Sequence, residues 1–306
     1  MAHGFLAING NNQVLVSSET RNLHFVGKAL LNRSVRSFDG YGGLRHWAYQ
    51  IACNVTPVPF FTMPVDGYYA VAAVRQVATG VWEIEIIRSG TSDYAPEVYV
   101  FSDPRGATGN GGTNYGMLVM RDDGTPSFDS RLNPLAVTGG AMVSPPANPL
   151  TSGPGGLTAK YCGSAPQNSL VPNAYNTFAI GDPGSKPIFF YPSIAQAERE
   201  WHYSQSERDC VGFEAFGGCI GFGTEYRWDS TYWAFFRGGI RYVGGYIRCG
   251  WIAAEFACNW SYSQEDSFIG IEYDDDSARG GTWPYSNETL NLTATAVIAA
   301  NGARYD

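Results

Sequence analysis

Over most of its recognisable segments the chain alternates apolar or β-branched residues with polar ones at a period of two. Runs of this kind occupy residues 13–16, 68–77, 81–87, 97–101 and 117–121, and a period of two sets neighbouring side chains on opposite faces of a strand. Turn formers stand between the runs. Thr79-Gly80 joins 68–77 to 81–87 and predicts a hairpin, and Asp122-Asp123-Gly124 closes the run at 117–121 with a second tight turn, because Asp and Gly tolerate positive φ. In the second half, aromatic runs at 231–236, 240–247, 251–256 and 268–273 are interrupted by Gly238-Gly239, Gly244-Gly245 and Asn259. Short strands at that spacing predict a sandwich or barrel. Residues 193–202 form the one predicted helix, with Ser193 as N-cap and Glu198 and Arg199 inside it. Residues 289–300 are uncharged, β-branched and small, which predicts a terminal strand buried against a neighbour.

Residues 143–156 lack any periodicity and contain Pro145, Pro146, Pro149 and Pro154 with Gly153, Gly155 and Gly156, the composition of a linker or long crossing loop. The expected fold is therefore mainly β. A sandwich-like N-terminal domain at 1–142 precedes an aromatic, Gly-rich C-terminal β-domain at 157–306, with at most one or two short helices in all.

Charge narrows the range of partners. The net charge of −8 over 306 residues is spread thinly, and no basic block exists to follow phosphates or lie on a membrane. Nucleic acid and membrane insertion are thus not expected. The start Met1-Ala2-His3-Gly4-Phe5 has neither the basic nor the apolar region of a secretory signal, so synthesis in the cytoplasm is the expectation. Few charges together with many Gly, Tyr, Phe and Trp residues fit surfaces that are covered by other subunits, and they also fit a large all-β domain standing alone.

Candidate chemistry is sparse. His3, His24, His46 and His202 show no metal-ligand spacing, and neither a Gly-x-Ser-x-Gly elbow nor a phosphate-binding loop occurs. No cofactor, metal site or catalytic residue is expected. Glu83 and Glu85 share one strand face and offer a carboxylate pair, for which a solvated face is an equal explanation. Asp274-Asp275-Asp276 lacks the glycine and distal glutamate of a calcium loop. The richer signal is aromatic. Trp228, Tyr232, Trp233, Tyr246, Trp251, Trp260 and Tyr262 form a cluster able to stack against sugar rings or a protein receptor, or to fill a core.

The opening 4–18, followed by Leu23-His24-Phe25-Val26-Gly27-Lys28, resembles the start of small tail-tip and minor tail proteins of long-tailed bacteriophages, those of Pseudomonas being the nearest association. The segment 115–124, Tyr-Gly-Met-Leu-Val-Met-Arg-Asp-Asp-Gly, leading into 128–135, resembles a second hallmark of that group. The resemblance spans about the first 140 residues and brings no catalytic residue with it. It implies a virion component of the distal tail that docks to other tail proteins through its first domain. It further implies a homo-oligomer, a trimer by analogy; the second half, 157–306, carries no motif of the group, and contact with a bacterial surface receptor is a hypothesis for that half. Two rivals are a tail-associated polysaccharide depolymerase working through paired carboxylates and a purely structural tail subunit without host contact.

Six cysteines stand at 53, 162, 210, 219, 249 and 258, with a repeated Cys-x8-Cys spacing in the last four. Disulfide frameworks belong mainly to small secreted domains, so buried free thiols are expected instead. The chain should accordingly melt at the same temperature with and without a strong reductant. A large drop on reduction would show that disulfides hold the second half together.

Overall fold

The computed structural model describes residues 6–8, 14–17, 22–38, 43–106, 116–147, 174–215, 218–273 and 285–306. In chain order the strands are β1 (Leu6–Ile8), β2 (Val14–Ser17), β3 (His24–Lys28), β4 (Leu30–Phe38), β5 (Leu44–Ala52), β6 (Val58–Phe61), β7 (Tyr69–Ala78), β8 (Val81–Ser89), β9 (Val98–Ser102), β10 (Leu118–Met120), β11 (Pro126–Asp129) and β12 (Val137–Val143). They continue with β13 (Asn176–Ala179), β14 (Pro187–Phe190), β15 (Gln196–Ala215), β16 (Gly218–Val243), β17 (Tyr246–Tyr273), β18 (Tyr285–Asn291) and β19 (Thr295–Asn301). A 3-10 turn at Gly302–Arg304 is the one helical element among the described residues. The fold is mainly β, with antiparallel sheets, as the period-two pattern predicts.

Two large sheets face each other. One runs in the order β12-β19-β14-β6-β9-β3, and the other in the order β13-β17-β16-β7-β8-β5-β4, with β15 added on β16 and β18 on β15. A single core joins them: Phe61, Val98, Val100, Phe189, Val297 and Ala299 of the first sheet pack with Trp47, Tyr49, Ile84, Ile86, Ile240 and Ile247 of the second. Each such side chain, fully buried, contributes on the order of 2 kcal/mol relative to exposure. The first sheet is covered on its other face too, where Phe60, Tyr99, Phe101 and Ile188 pack with Tyr305 and half-buried Phe25. Burial on both faces explains why β6 and β9 read as continuous apolar runs.

The expected hairpin forms as read: Ala78 pairs with Val81 across Thr79-Gly80, and Gly80 takes φ +70°. Other expectations need correction. Residues 193–202 are not a helix. Ser193, Ala195 and Ala197 are buried while Ile194, Gln196 and Glu198 are exposed, a period of two, and from Gln196 onward the backbone pairs with Arg237 and its neighbours. Of the presumed breaks, Gly244-Gly245 is the turn, with φ values of +55° and +88°. Gly238-Gly239 lies inside β16 and Asn259 inside β17. Gly238 and Gly239 serve close packing: a Cβ at Gly238 would stand 2.7 Å from Tyr191 Oη, and one at Gly239 would stand 2.5 Å from Ile252 Cδ1. Residues 289–300 split into the end of β18 and most of β19, and β19 lies between β12 and β14.

Residues 143–156 do not separate two sheets. β12, before that segment, pairs with β19 after it, and β7 pairs with β16 through Tyr69 and Ile240. Both sheets thus draw strands from each side of the segment. Fragments 1–147 and 157–306 should therefore fail to fold when expressed separately, giving no cooperative unfolding transition alone. A cooperative transition from either fragment would contradict this interleaving.

Candidate binding surface

Strands in globular proteins usually run 3–10 residues. β15, β16 and β17 run 20, 26 and 28 residues and pair with one another along their length. At about 3.3 Å per residue β16 extends roughly 85 Å. Its inner end belongs to the sandwich; the outermost ribbon residues in the main core are Phe235 on β16 and Ala254 on β17, among those whose side chains are described.

Register sorts the ribbon into two unlike faces. Near the sandwich one face is buried: Ala195, Ala197, Ala234, Phe236 and Ile240 share it. The other carries exposed Gln196, Glu198 and Glu255 and half-buried Arg237 and Arg241, together with half-buried Phe235 and fully buried Ile252, so near the sandwich both faces are partly covered. The β16–β17 register is regular from Gly221 to Phe235 and shifts between Phe235 and Phe236, where the ribbon leaves the sandwich. Outward of that shift Trp201 stands opposite Tyr232 and Cys258, Tyr203 opposite Ser230 and Trp260, and Gln205 opposite Trp228 and Tyr262. The reverse face holds His202, Thr231 and Asn259, then Ser204, Asp229 and Ser261, then Ser206, Arg227 and Ser263. Asn259, Ser261 and Ser263 are exposed.

The seven aromatic candidates thus divide. Trp228, Tyr232, Trp260 and Tyr262 occupy register positions on the aromatic face, together with Trp201 and Tyr203, which the helical reading of 193–202 obscured. The signal for those two was present as the alternation of Trp201, His202, Tyr203 and Ser204. Trp233 sits on the polar face and is half-buried. Tyr246, next to the Gly244-Gly245 turn, is 51% exposed. Trp251 is corrected outright as a surface candidate: it is 1% exposed and its Nε1 donates to Pro146 O at 2.9 Å, which makes it a core residue.

The cysteines follow from the same register. Cys249 and Cys258 lie nine residues apart on one strand, roughly 30 Å, far beyond disulfide reach. Cys53 and Cys249 are buried free thiols, and burial pushes the Cys249 thiol up to about 12. Asp274-Asp275-Asp276 lies outside the described residues.

Glu83 and Glu85 are not a solvated face. They are 1% and 7% exposed, roofed by arginines from the two neighbouring hairpins. Arg33 Nη1 reaches Glu83 Oε2 at 2.8 Å, Arg75 Nη2 stands 2.5 Å from Glu83 Oε1 and 2.5 Å from Glu85 Oε1, and His46 Nε2 lies 3.0 Å from Glu85 Oε2. Burial alone would raise the Glu83 pKa, but the hydrogen bonds from Arg75 and Arg33 outweigh it and hold the group below its ordinary value. A glycosidase acid needs the opposite shift. Burial lowers the His46 pKa despite its Glu85 partner. His24, 0% exposed, also has a lowered pKa through burial; its Nδ1 lies 2.9 Å from Asn22 O and its Nε2 accepts the Asp129 N–H at 3.2 Å, a structural role for a neutral ring. Among the described residues no group of three or more His, Cys, Asp or Glu is placed to hold a metal ion, and no helix is long and apolar enough to cross a membrane.

Comparison of the chain with protein-family models, curated protein sequences and solved structures returned no match.

The carboxylate network has a pH signature. A depressed folded-state pKa contributes stability that is complete above the unfolded value, about 4.5 for Glu83, and is lost as pH falls through the lower folded value. The denaturation midpoint of the native chain should hold steady above about pH 5 and fall on acidification. Glu83→Gln should be less stable at neutral pH, with a gap to the native chain that closes as pH drops. Parallel profiles would contradict the network.

Proposed function

We propose that this chain is a structural subunit of a bacteriophage tail tip that works by assembly and surface attachment, without breaking bonds. The observation that carries the reading is the long ribbon. Three strands several times the usual length, whose register brings aromatic positions of all three side by side, make a contact element, because flat aromatic rows provide large area at little entropic cost. The first-half segments that resemble phage tail proteins add support. The β10–β11 hairpin within them leaves Met117, Leu118 and Met120 exposed at 42%, 46% and 45%, a small apolar surface suited to docking on other tail proteins.

The depolymerase alternative loses its best pair, since Glu83 and Glu85 are engaged by Arg33, Arg75 and His46. Host attachment, within this reading, falls to the exposed part of the second half, where Tyr246 at the inner turn is a free aromatic side chain.

The test is direct. Particles purified from an infected culture should contain the chain, antibodies to it should label the distal tail, and the purified chain should compete with particles for adsorption while leaving host polysaccharide uncut. Absence from purified particles would overturn the assignment, and release of oligosaccharide would promote the hydrolase.

A further inference from the structure

We propose that His24 is an acid-sensitive latch: as a neutral ring it holds the β10–β11 hairpin against the sandwich, and on taking up a proton it lets the hairpin go. The inference rests on the geometry of this contact and stands or falls independently of the tail assignment.

The hairpin is a satellite of the fold. β10 and β11 form a two-stranded sheet of their own, and Val119 and Phe128 pack together in a small core separate from the two clusters of the sandwich. Its attachment runs through β11 and the residues around His24. The Asn22 N–H and Nδ2 donate to Ser127 O at 3.0 and 3.2 Å, and the His24 ring, 0% exposed, packs 5.5 Å from the ring of Phe128. Beyond the hairpin the chain is tied down separately: Phe25 N–H donates to Asn133 O at 2.8 Å and Leu135 N–H to Leu23 O at 2.7 Å. The hairpin can therefore lift while residues 133–135 stay in place.

Hydrogen bonding fixes the protonation state of the ring. The Asp129 N–H donates to His24 Nε2 at 3.2 Å, which requires a lone pair there, so the ring proton sits on Nδ1 and is donated to Asn22 O at 2.9 Å. One neutral tautomer satisfies both flanks. A second proton can go only to Nε2, where it would face the Asp129 N–H and leave two buried donors without an acceptor between them.

Two carboxylates face the ring, Asp129 from β11 and Asp103 from the turn after β9. Each is clamped by the arginine two residues on: Arg131 Nε donates to Asp129 Oδ1 at 2.8 Å, and Arg105 Nη2 donates to Asp103 Oδ2 at 2.6 Å. Residues 132–135, alongside β3, carry no charge. Burial lowers the His24 pKa, and the attraction of the two acids offsets this only in part. A docked pKa below the ordinary 6.5 means that docking is complete above about pH 6.5 and weakens below it, because the released ring takes up a proton that the docked ring refuses. For one proton the docking constant falls by up to about tenfold per pH unit until the docked pKa is reached. Release uncovers the side of Phe128 that packs on His24 and so enlarges the apolar surface of Met117, Leu118 and Met120.

The test is hydrogen exchange of the full chain, followed by peptide between pH 7.5 and 5.5 and corrected for the intrinsic pH dependence of exchange. An isolated two-stranded hairpin is marginal in water, so residues 117–131 should lose protection below about pH 6.5 while residues 44–52 and 81–89 keep theirs. His24→Gln, whose amide can accept from Asp129 without titrating, should hold the hairpin protected across the range. Unchanged protection of 117–131 in the native chain would overturn the proposal, as would a folded His24→Gln variant that loses it in parallel with the native chain. Where His24→Gln fails to fold, the native chain decides: the loss of protection should share its midpoint with the titration of the His24 ring followed by NMR. A loss that sets in only below about pH 5, where carboxylates titrate, would overturn the proposal.

Discussion

A β-sheet with one apolar face must bury that face, and the whole architecture follows from how far each strand lies under a cover. Over the sandwich the requirement is met twice. The second sheet buries Ile84, Ile86 and Ile240 against Phe61, Val100 and Phe189, and the first sheet buries its reverse side beneath Tyr305 and Phe25. Along the ribbon the strands run on past Phe235 and Ala254, the last described residues in or against that core, and the register shifts between Phe235 and Phe236. The strands that make the core and the strands that reach outward are the same strands, joined by backbone pairing.

The outer faces of the second sheet show a different solution to burial. Glu83 and Glu85 sit on a central strand where solvent is largely excluded, and arginines from β4 and β7 converge on them. Arg33 and Arg75 remain about half exposed, so their stems cover the acids while their charged heads stay hydrated. The cluster therefore closes a sheet face. It leaves no free carboxylate for acid–base chemistry.

How much of this was legible in the chain depended on range. The hairpin of β7 and β8 could be read because alternation and a two-residue turn with Gly80 are both local signals. The start of β15 was misread because Ala, Glu and Arg suit a helix, while the buried alternation of Ser193, Ala195 and Ala197 is weak in small residues. Gly238-Gly239 looked like a break because glycine marks turns, yet here it admits Tyr191 and Ile252 against the backbone. The pairing of β12 with β19 joins residues about 160 apart, which no local pattern announces, so the Pro/Gly composition of 143–156 reads as a boundary although both sheets take strands from each side of it. The aromatic cluster was legible as a composition. Its division into Trp251 in the core, Trp233 on the polar side and Trp228, Tyr232, Trp260 and Tyr262 on one row-ordered face required the register of three strands.

The central claim is that the two sheets form one sandwich whose strands come from both sides of residues 143–156. Amide hydrogen exchange of the full chain, followed by peptide through a denaturant series, tests it most directly. The account predicts that β12 and β19, and β7 and the part of β16 around Ile240, lose protection together. Protection of residues 44–143 that outlasts that of 187–190 and 295–301 would contradict it.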